Sequence, residues 1–216
     1  EGAQGVLLDA DAGFHPFTTW SRCTTANAFD LIKQMAPDSR VFQIGVMRSY
    51  AVRHGPGPLP TETGDLTSLV EEHNKHNEWQ GTVRYGWFDA VLARYALGVT
   101  GKVDSLMVTH LDVLAHLKTW KYCPGYKDCH SLYDSFIGST IPGDILTDFH
   151  LPDFLPLEKR AQFTQALSSV TPVLEACEAD DETVIRTIEA LTGQQVGMIS
   201  RGPGAENVEI LNSLPS

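Results

Sequence analysis

Apolar residues along this chain fall into short dense runs that alternate with stretches of three- and four-residue spacing. Val6-Leu-Leu-Asp, Val41-Phe-Gln-Ile-Gly-Val-Met and Ser105-Leu-Met-Val-Thr are runs bounded by turn residues, the pattern of strands buried on both faces of a sheet. Between them, Phe88 to Leu97 places apolar residues at helical spacing, and Gly98 predicts the stop. Strand, helix and strand in this order predict an α/β fold whose ligands lie in loops beyond the carboxyl ends of strands.

The stretch from Gly55 to Gly64 holds three prolines and three glycines, which predicts a stiff, exposed loop able to form the lip of a ligand site. Residues 128–156 show no clear period, whereas 157–174 and 180–191 read as helices. Asp180, Asp181 and Glu182 open the second of these with acids where the helix dipole favours them. Gly193 ends it, and Val196-Gly-Met-Ile-Ser reads as a last strand leading into Arg201-Gly-Pro-Gly. No internal repeat or low-complexity tract interrupts the pattern.

Composition narrows the functional classes. With 42% hydrophobic and 20% charged residues over 216 positions, the chain is an ordinary globular protein able to bury a core. A formal charge of -11 without a Lys/Arg cluster points away from nucleic acid and toward small-molecule partners. No apolar run approaches the roughly 20 residues that cross a bilayer, so no membrane partner is expected and the cytoplasm is the default location. Cys23, Cys123, Cys129 and Cys177 lack paired metal-site spacing and are read as reduced thiols. His73 with His76, and His110 with His116, form no recognised metal set, so no metal ligand is assigned. The chain opens at Glu1 in the middle of a pattern and is expected to be a piece of a longer one.

Several polar positions carry candidate chemistry. Gln4 lies in a Gly-Ala-Gln-Gly turn, where its amide can donate and accept toward a base or sugar; solvation in a glycine turn is the plainer reading. Thr18-Thr-Trp-Ser-Arg-Cys-Thr-Thr offers hydroxyls and backbone donors suited to a phosphate monoester; its plainer reading is a hydroxyl-rich turn. Arg53 precedes the Gly/Pro loop as a candidate anion binder, while His54 reads as a surface His. Asp112, in Thr109-His-Leu-Asp-Val-Leu, presents two acceptors that match paired donors on guanine and not on adenine, or it caps a helix.

These segments, taken in order, resemble the adenylosuccinate synthetase family: Glu1-Gly-Ala-Gln-Gly-Val-Leu-Leu-Asp-Ala-Asp, His15-Pro-Phe-Thr-Thr, Gly55-Pro-Gly-Pro-Leu-Pro-Thr-Glu, Tyr85-Gly-Trp-Phe-Asp-Ala-Val and Thr109-His-Leu-Asp-Val-Leu. The resemblance is close over residues 1–127, weak over 128–194, and returns over 195–216, where Ser200-Arg-Gly-Pro ends the guanine pocket before the tail. It implies the carboxyl-terminal portion of that fold, with a mixed, mostly parallel central sheet and flanking helices. It also implies that Gln4 and Thr19 contact IMP and its phosphate. His110, Leu111 and Asp112 with Ser200, Arg201 and Gly202 are implied to hold the guanine of GTP.

The pattern breaks in three places. Trp20 and Arg22 stand where the family has a small Ser and an Asn, so Trp20 is expected to crowd the pocket and Arg22 to offer a new anion contact. His110 replaces a Lys that packs on the base. In the amino-donor loop, aligned without gaps on Gly86-Trp87, Gln80 and Gly81 lead to Arg84. Gly81 and Val83 occupy positions of family arginines that pair with carboxylate and phosphate, and Glu78 adds repulsion. Losing such a charged contact costs about 2 to 5 kcal/mol, which makes aspartate a poor donor.

In this family GTP phosphorylates the 6-oxygen of IMP, and the amino group of aspartate then displaces the phosphate. The glycine-rich phosphate loop, magnesium and the catalytic Asp and His belong to the amino-terminal half, and no such loop pattern occurs in these 216 residues, so no catalytic residue is assigned. The resemblance implies GTP as co-substrate, magnesium through the other half, and a homodimer. Three readings stay open: a GTP-dependent ligase acting on a purine nucleotide, a non-catalytic relative that binds a nucleotide or protein, and a ligase using a different amine. Which purine nucleotide fills the Gln4 and Thr19 site, IMP or dGMP among them, is likewise open.

Overall fold

The computed structural model describes residues 4–67, 78, 81–132, 145–152 and 155–212. Its centre is a four-stranded sheet in the order β1 (Ile44–Arg48), β5 (Ser105–Thr109), β8 (Val196–Ser200), β9 (Val208–Ile210), in which β1, β5 and β8 run parallel and β9 returns antiparallel. Beside it, β2 (Ala51–His54) pairs antiparallel with β3 (Val83–Gly86), and β4 (Phe88–Asp89), β6 (Thr119–Lys127) and β7 (Thr171–Glu178) form a third sheet. Helices α1 (Ala26–Met35), α2 (Ala90–Thr100), a single turn α3 (His130–Leu132), α4 (Leu157–Leu167) and α5 (Asp181–Thr192) flank them. The expected mixed, parallel-rich α/β fold is therefore present.

Two apolar cores hold these layers, and α2 serves both. Ala90 packs with Leu106, Val108, Trp120, Val184 and Ile188 in one, while Val91, Leu92 and Tyr95 join Phe14, Phe149, Phe163 and Leu167 in the other. Phe14, Tyr95, Phe149 and Phe163 form a chain of ring contacts with centroids 4.7 to 6.3 Å apart. On α4 the buried positions are Arg160, Phe163, Thr164 and Leu167, the spacing of one helical face. Helix α1 differs: none of its residues is buried.

The structure corrects four expectations. Val6–Leu8 is a turn of 3-10 helix, not a strand, because the Asp9 carboxylate accepts from the Asp11 and Ala12 amides at 2.8 and 2.9 Å and folds the chain back. The strand expected from Val41 begins at Ile44. Helix α2 runs through Gly98 to end at Gly101, which takes φ 80°; Gly98 instead admits a close approach of His150. Finally, the helix expected over 157–174 stops at Leu167, and Thr171 onward is strand β7. The strands Ser105–Thr109 and Val196–Ser200 and the Asp180 cap of α5 stand where expected.

Asp89 links α2 to the third sheet. One carboxylate oxygen caps α2 by accepting from the Val91 and Leu92 amides at 3.1 Å, and the other accepts from the Tyr126 hydroxyl at 2.6 Å. Burial still dominates and pushes this carboxyl up to about 6, against the pull of those three donors and Arg94. A raised folded-state pKa means stability present in acid and lost as pH climbs from about 4 to 6. Asp89→Asn keeps an acceptor for the cap and removes the charge. Unfolding free energies from urea titrations across that window should fall with pH in the wild type relative to the variant, by up to about 3 kcal/mol. Parallel pH profiles would show that Asp89 ionises as in the unfolded chain.

Candidate functional site

Three parallel strands deliver their carboxyl ends to one edge of the central sheet. Arg48 lies opposite Thr109, and Val108 lies opposite Ile199, so the chain leaves β1, β5 and β8 side by side. Ser49 joins the first two exits. Its amide donates to the Thr109 carbonyl at 3.0 Å and its hydroxyl to the His110 carbonyl at 2.9 Å. That bond helps hold His110 in a left-handed conformation (φ 61°), which reverses the chain into the 3-10 turn Leu111–His116. His110 Nδ1 is 3.0 Å from Thr109 Oγ1, and its ring meets Tyr50 edge-on at 5.6 Å. Leu111 is buried beneath the turn, while Asp112 is exposed on it.

The turn after β8 is the neighbouring wall. The buried Ser200 hydroxyl donates to the Gly202 carbonyl at 2.8 Å, the Arg201 amide donates to the Asn207 carbonyl at 3.1 Å, and the Gly204 amide donates to Asn207 Oδ1 at 3.0 Å. A β-carbon at Gly202 would lie 2.7 Å from Asn207 Oδ1, so a side chain there would displace the Asn207 amide from its bond to Gly204. Arg201 points out of it, pairing with Asp181 at 2.6 Å and Glu209 at 2.7 Å. His110, Leu111 and Asp112 thus share one edge of the sheet with Ser200, Arg201 and Gly202.

The monoester loop is a separate construction. Gln4 is exposed ahead of the 3-10 turn, and the Thr19 amide donates to the Leu8 carbonyl at 2.8 Å, which sets the hydroxyl loop against that turn. Asp9 anchors it further by accepting from the Cys23 amide. Arg160 and Tyr95 complete the support from below: the buried guanidinium donates to the Ala10 and Gly13 carbonyls at 3.0 and 2.7 Å, and the Tyr95 hydroxyl donates to Ala12 at 2.6 Å. The sequence offered no signal for Arg160, which lies in an otherwise ordinary amphipathic helix. Trp20 does not crowd this loop; its side chain is wholly exposed, because its neighbours are tethered inward and leave it pointing outward. Arg22 pairs with Asp11 at 3.1 Å.

Arg53 and Arg84 face each other across β2 and β3 and grip the Gly/Pro loop together. Arg84 donates to the Gly55 carbonyl through Nε and Nη2, at 3.1 and 2.9 Å, to Gly57 at 2.7 Å, and pairs with Glu62 at 2.7 Å. Arg53 donates to Pro56 at 2.9 Å and to Phe17 at 3.0 Å, tying this hairpin to the monoester loop. Burial, and then the neighbouring Arg84 charge, lower the Arg53 guanidinium to about 10. Gly81 takes φ 71° with open space beside it. Gln80, His73 and His76 lie outside the described residues.

Comparison with known proteins places the chain by sequence and by fold. The sequence model of the family described as adenylosuccinate synthetase matches residues 1–209. The adenylosuccinate synthetase of Nitrosomonas eutropha is 34% identical over 208 residues, covering 94% of this chain and 46% of the relative. That of Desulforamulus reducens is 35% identical over 225 residues, covering 99% and 48%. The chain therefore spans about half the length of the curated relatives it matches. Among solved structures, fully ligated adenylosuccinate synthetase from Plasmodium falciparum superposes with a TM-score of 0.72 at 22% identity, over 97% of this chain and 49% of that one. A cyanophage S-2L succinoaminodeoxyadenylate synthetase, bound to dGMP and to dATP as energy donor, gives 0.52 at 19% identity, over 99% and 46%. With the family model matching residues 1–209 and relatives above 30% identity matching nearly all of the chain, the chain belongs to the adenylosuccinate synthetase family.

Proposed function

We propose that this chain is the base-binding and amino-donor part of a GTP-dependent ligase that joins an amino group to a purine nucleotide in purine nucleotide biosynthesis. The observation that supports it most is the pairing of Asp112 with the Ser200 to Gly202 turn at the carboxyl ends of adjacent parallel strands. In such sheets that edge is where ligands lie. The two Asp112 oxygens accept the guanine ring N–H and exocyclic amine, Ser200 and Gly202 form the facing wall, and His110 lies flat against the base. Gln4 and Thr19 take the second nucleotide, with Thr19 and its neighbouring amides on the phosphate. Magnesium is expected on the remainder of a full-length member. Among the described residues no group of three His, Cys, Asp or Glu could hold an ion.

The amino donor follows from Arg84. Its guanidinium already holds two carbonyls and Glu62, and Gly81 and Val83 bring no charge, so the described part of this loop offers an incoming dicarboxylate little to bind. A donor other than aspartate fits this loop best. The second reading, a non-catalytic relative that keeps only the nucleotide site, draws on the same loss. A cytoplasmic homodimer belongs to the ligase reading; all four cysteines are free thiols, and no helix among the described residues is long and apolar enough to cross a membrane.

Two kinds of measurement test the base site and the donor loop on which these readings rest. Thermal unfolding of the chain with millimolar GTP should rise, since a ligand that binds only the folded state stabilises it, and ATP or dATP should raise it less. Asp112→Ala should weaken GTP by roughly tenfold or more, the loss of hydrogen bonds to a charged group, and should erase the preference over ATP; unchanged GTP affinity sinks the guanine assignment. In the amino-donor loop, Gly81→Arg with Val83→Arg should bring measurable aspartate binding by calorimetry. No gain would mean that this loop does not face the donor.

A further inference from the structure

The turn facing the proposed base site leaves β8 one residue beyond its last pair with β5, Ile199 opposite Val108, while Ser200 still pairs with Val208 of β9. Past Ser200 the bonds made by its backbone run within the turn, from Ser200 to Gly202, from Arg201 to Asn207 and from Gly204 to Asn207, and none of these reaches β5 or α5. One side chain reaches out of it to two other elements. Arg201 Nε bonds Asp181 at the first turn of α5, and Nη1 bonds Glu209 on β9. Both contacts hold the guanidinium further toward its charged form.

These are half-exposed pairs, with side-chain exposures of 43% for Arg201 and 30% and 54% for its partners, and pairs of this kind add little to overall stability. Their effect lies in geometry. Asp181 belongs to the helix that precedes β8, and Glu209 to the strand that returns beside it, so the planar fork fixes the turn from both sides at once.

We propose that Arg201 is a positioning residue that sets the distance between the Ser200 to Gly202 turn and Asp112, and so sharpens the choice of base. The proposal rests on the base-site reading above. Arg201 touches no base; its guanidinium is committed to Asp181 and Glu209, and it acts through the turn it anchors.

The test uses this chain with the uncharged nucleosides guanosine, inosine and adenosine, so that no phosphate responds to the altered charge. Binding is followed by calorimetry for the wild type, Arg201→Thr, Arg201→Lys and Asp112→Ala. Arg201→Thr should weaken guanosine by about fivefold or more, the lower end of coupling between communicating groups, and narrow its margin over inosine, with the thermal midpoint in the absence of nucleoside nearly unchanged. Arg201→Lys, which keeps the charge and loses the fork, should fall between. If guanosine binds the wild type and Arg201→Thr alike, Arg201 is only a surface tie and the proposal fails while the base site stands. If wild type and Asp112→Ala show the same response to all three nucleosides, the base site itself is refuted and the proposal with it.

Discussion

Ser49 satisfies three separated parts of the chain at a single buried residue. Its amide and hydroxyl bind the last carbonyls of β5 and its turn, and its own carbonyl accepts from the Trp120 indole at 2.7 Å. A buried polar group without partners is costly, so this residue can be buried only if β1, β5 and β6 reach their places together. The left-handed His110 depends on that latch, and the exposed position of Asp112 depends on His110. The shape of the sheet edge thus rests on a single serine.

The same economy governs the arginines. Arg53, Arg84 and Arg160 all spend their donors largely on backbone carbonyls of irregular loops. Loops rich in Pro and Gly cannot satisfy their carbonyls by helix or sheet bonds, and a guanidinium with five donors in a fixed fork is suited to collecting several at once. In a chain of net charge -11, using these cations as scaffolding leaves few to meet an anionic ligand. Phe17, held by Arg53, carries that scaffolding from the hairpin to the loop at Thr18 to Thr25, so the two loop regions share one support.

How much of this was legible in the sequence differed by element. Ser105–Thr109, Val196–Ser200 and α5 could be read because their apolar runs end at unambiguous turn or capping residues. Val6–Leu8 has the composition of a strand, yet Asp9 bonds its local amides and wins over propensity. Strand β6 was not foreseen because Pro124 lies within it; the register shift between Tyr122 and Gly125 absorbs that residue, and such irregularities are where sheets admit proline. At the candidate site, Asp112 and Ser200 were visible through motif order. Arg160 and the outward reach of Arg201 were not, because the first depends on carbonyls about 150 residues away and the second on carboxylates from two different elements, which no local pattern encodes.

Helix α2 shows what the layered architecture implies for the molecule as a whole. Ala90 belongs to one core while Val91, Leu92 and Tyr95, its immediate neighbours, belong to the other. Loosening either core exposes one side of the same helix and removes its support, so neither can open while the other stays shut. Although its strands fall into three sheets, one helix thus couples the two cores that hold them.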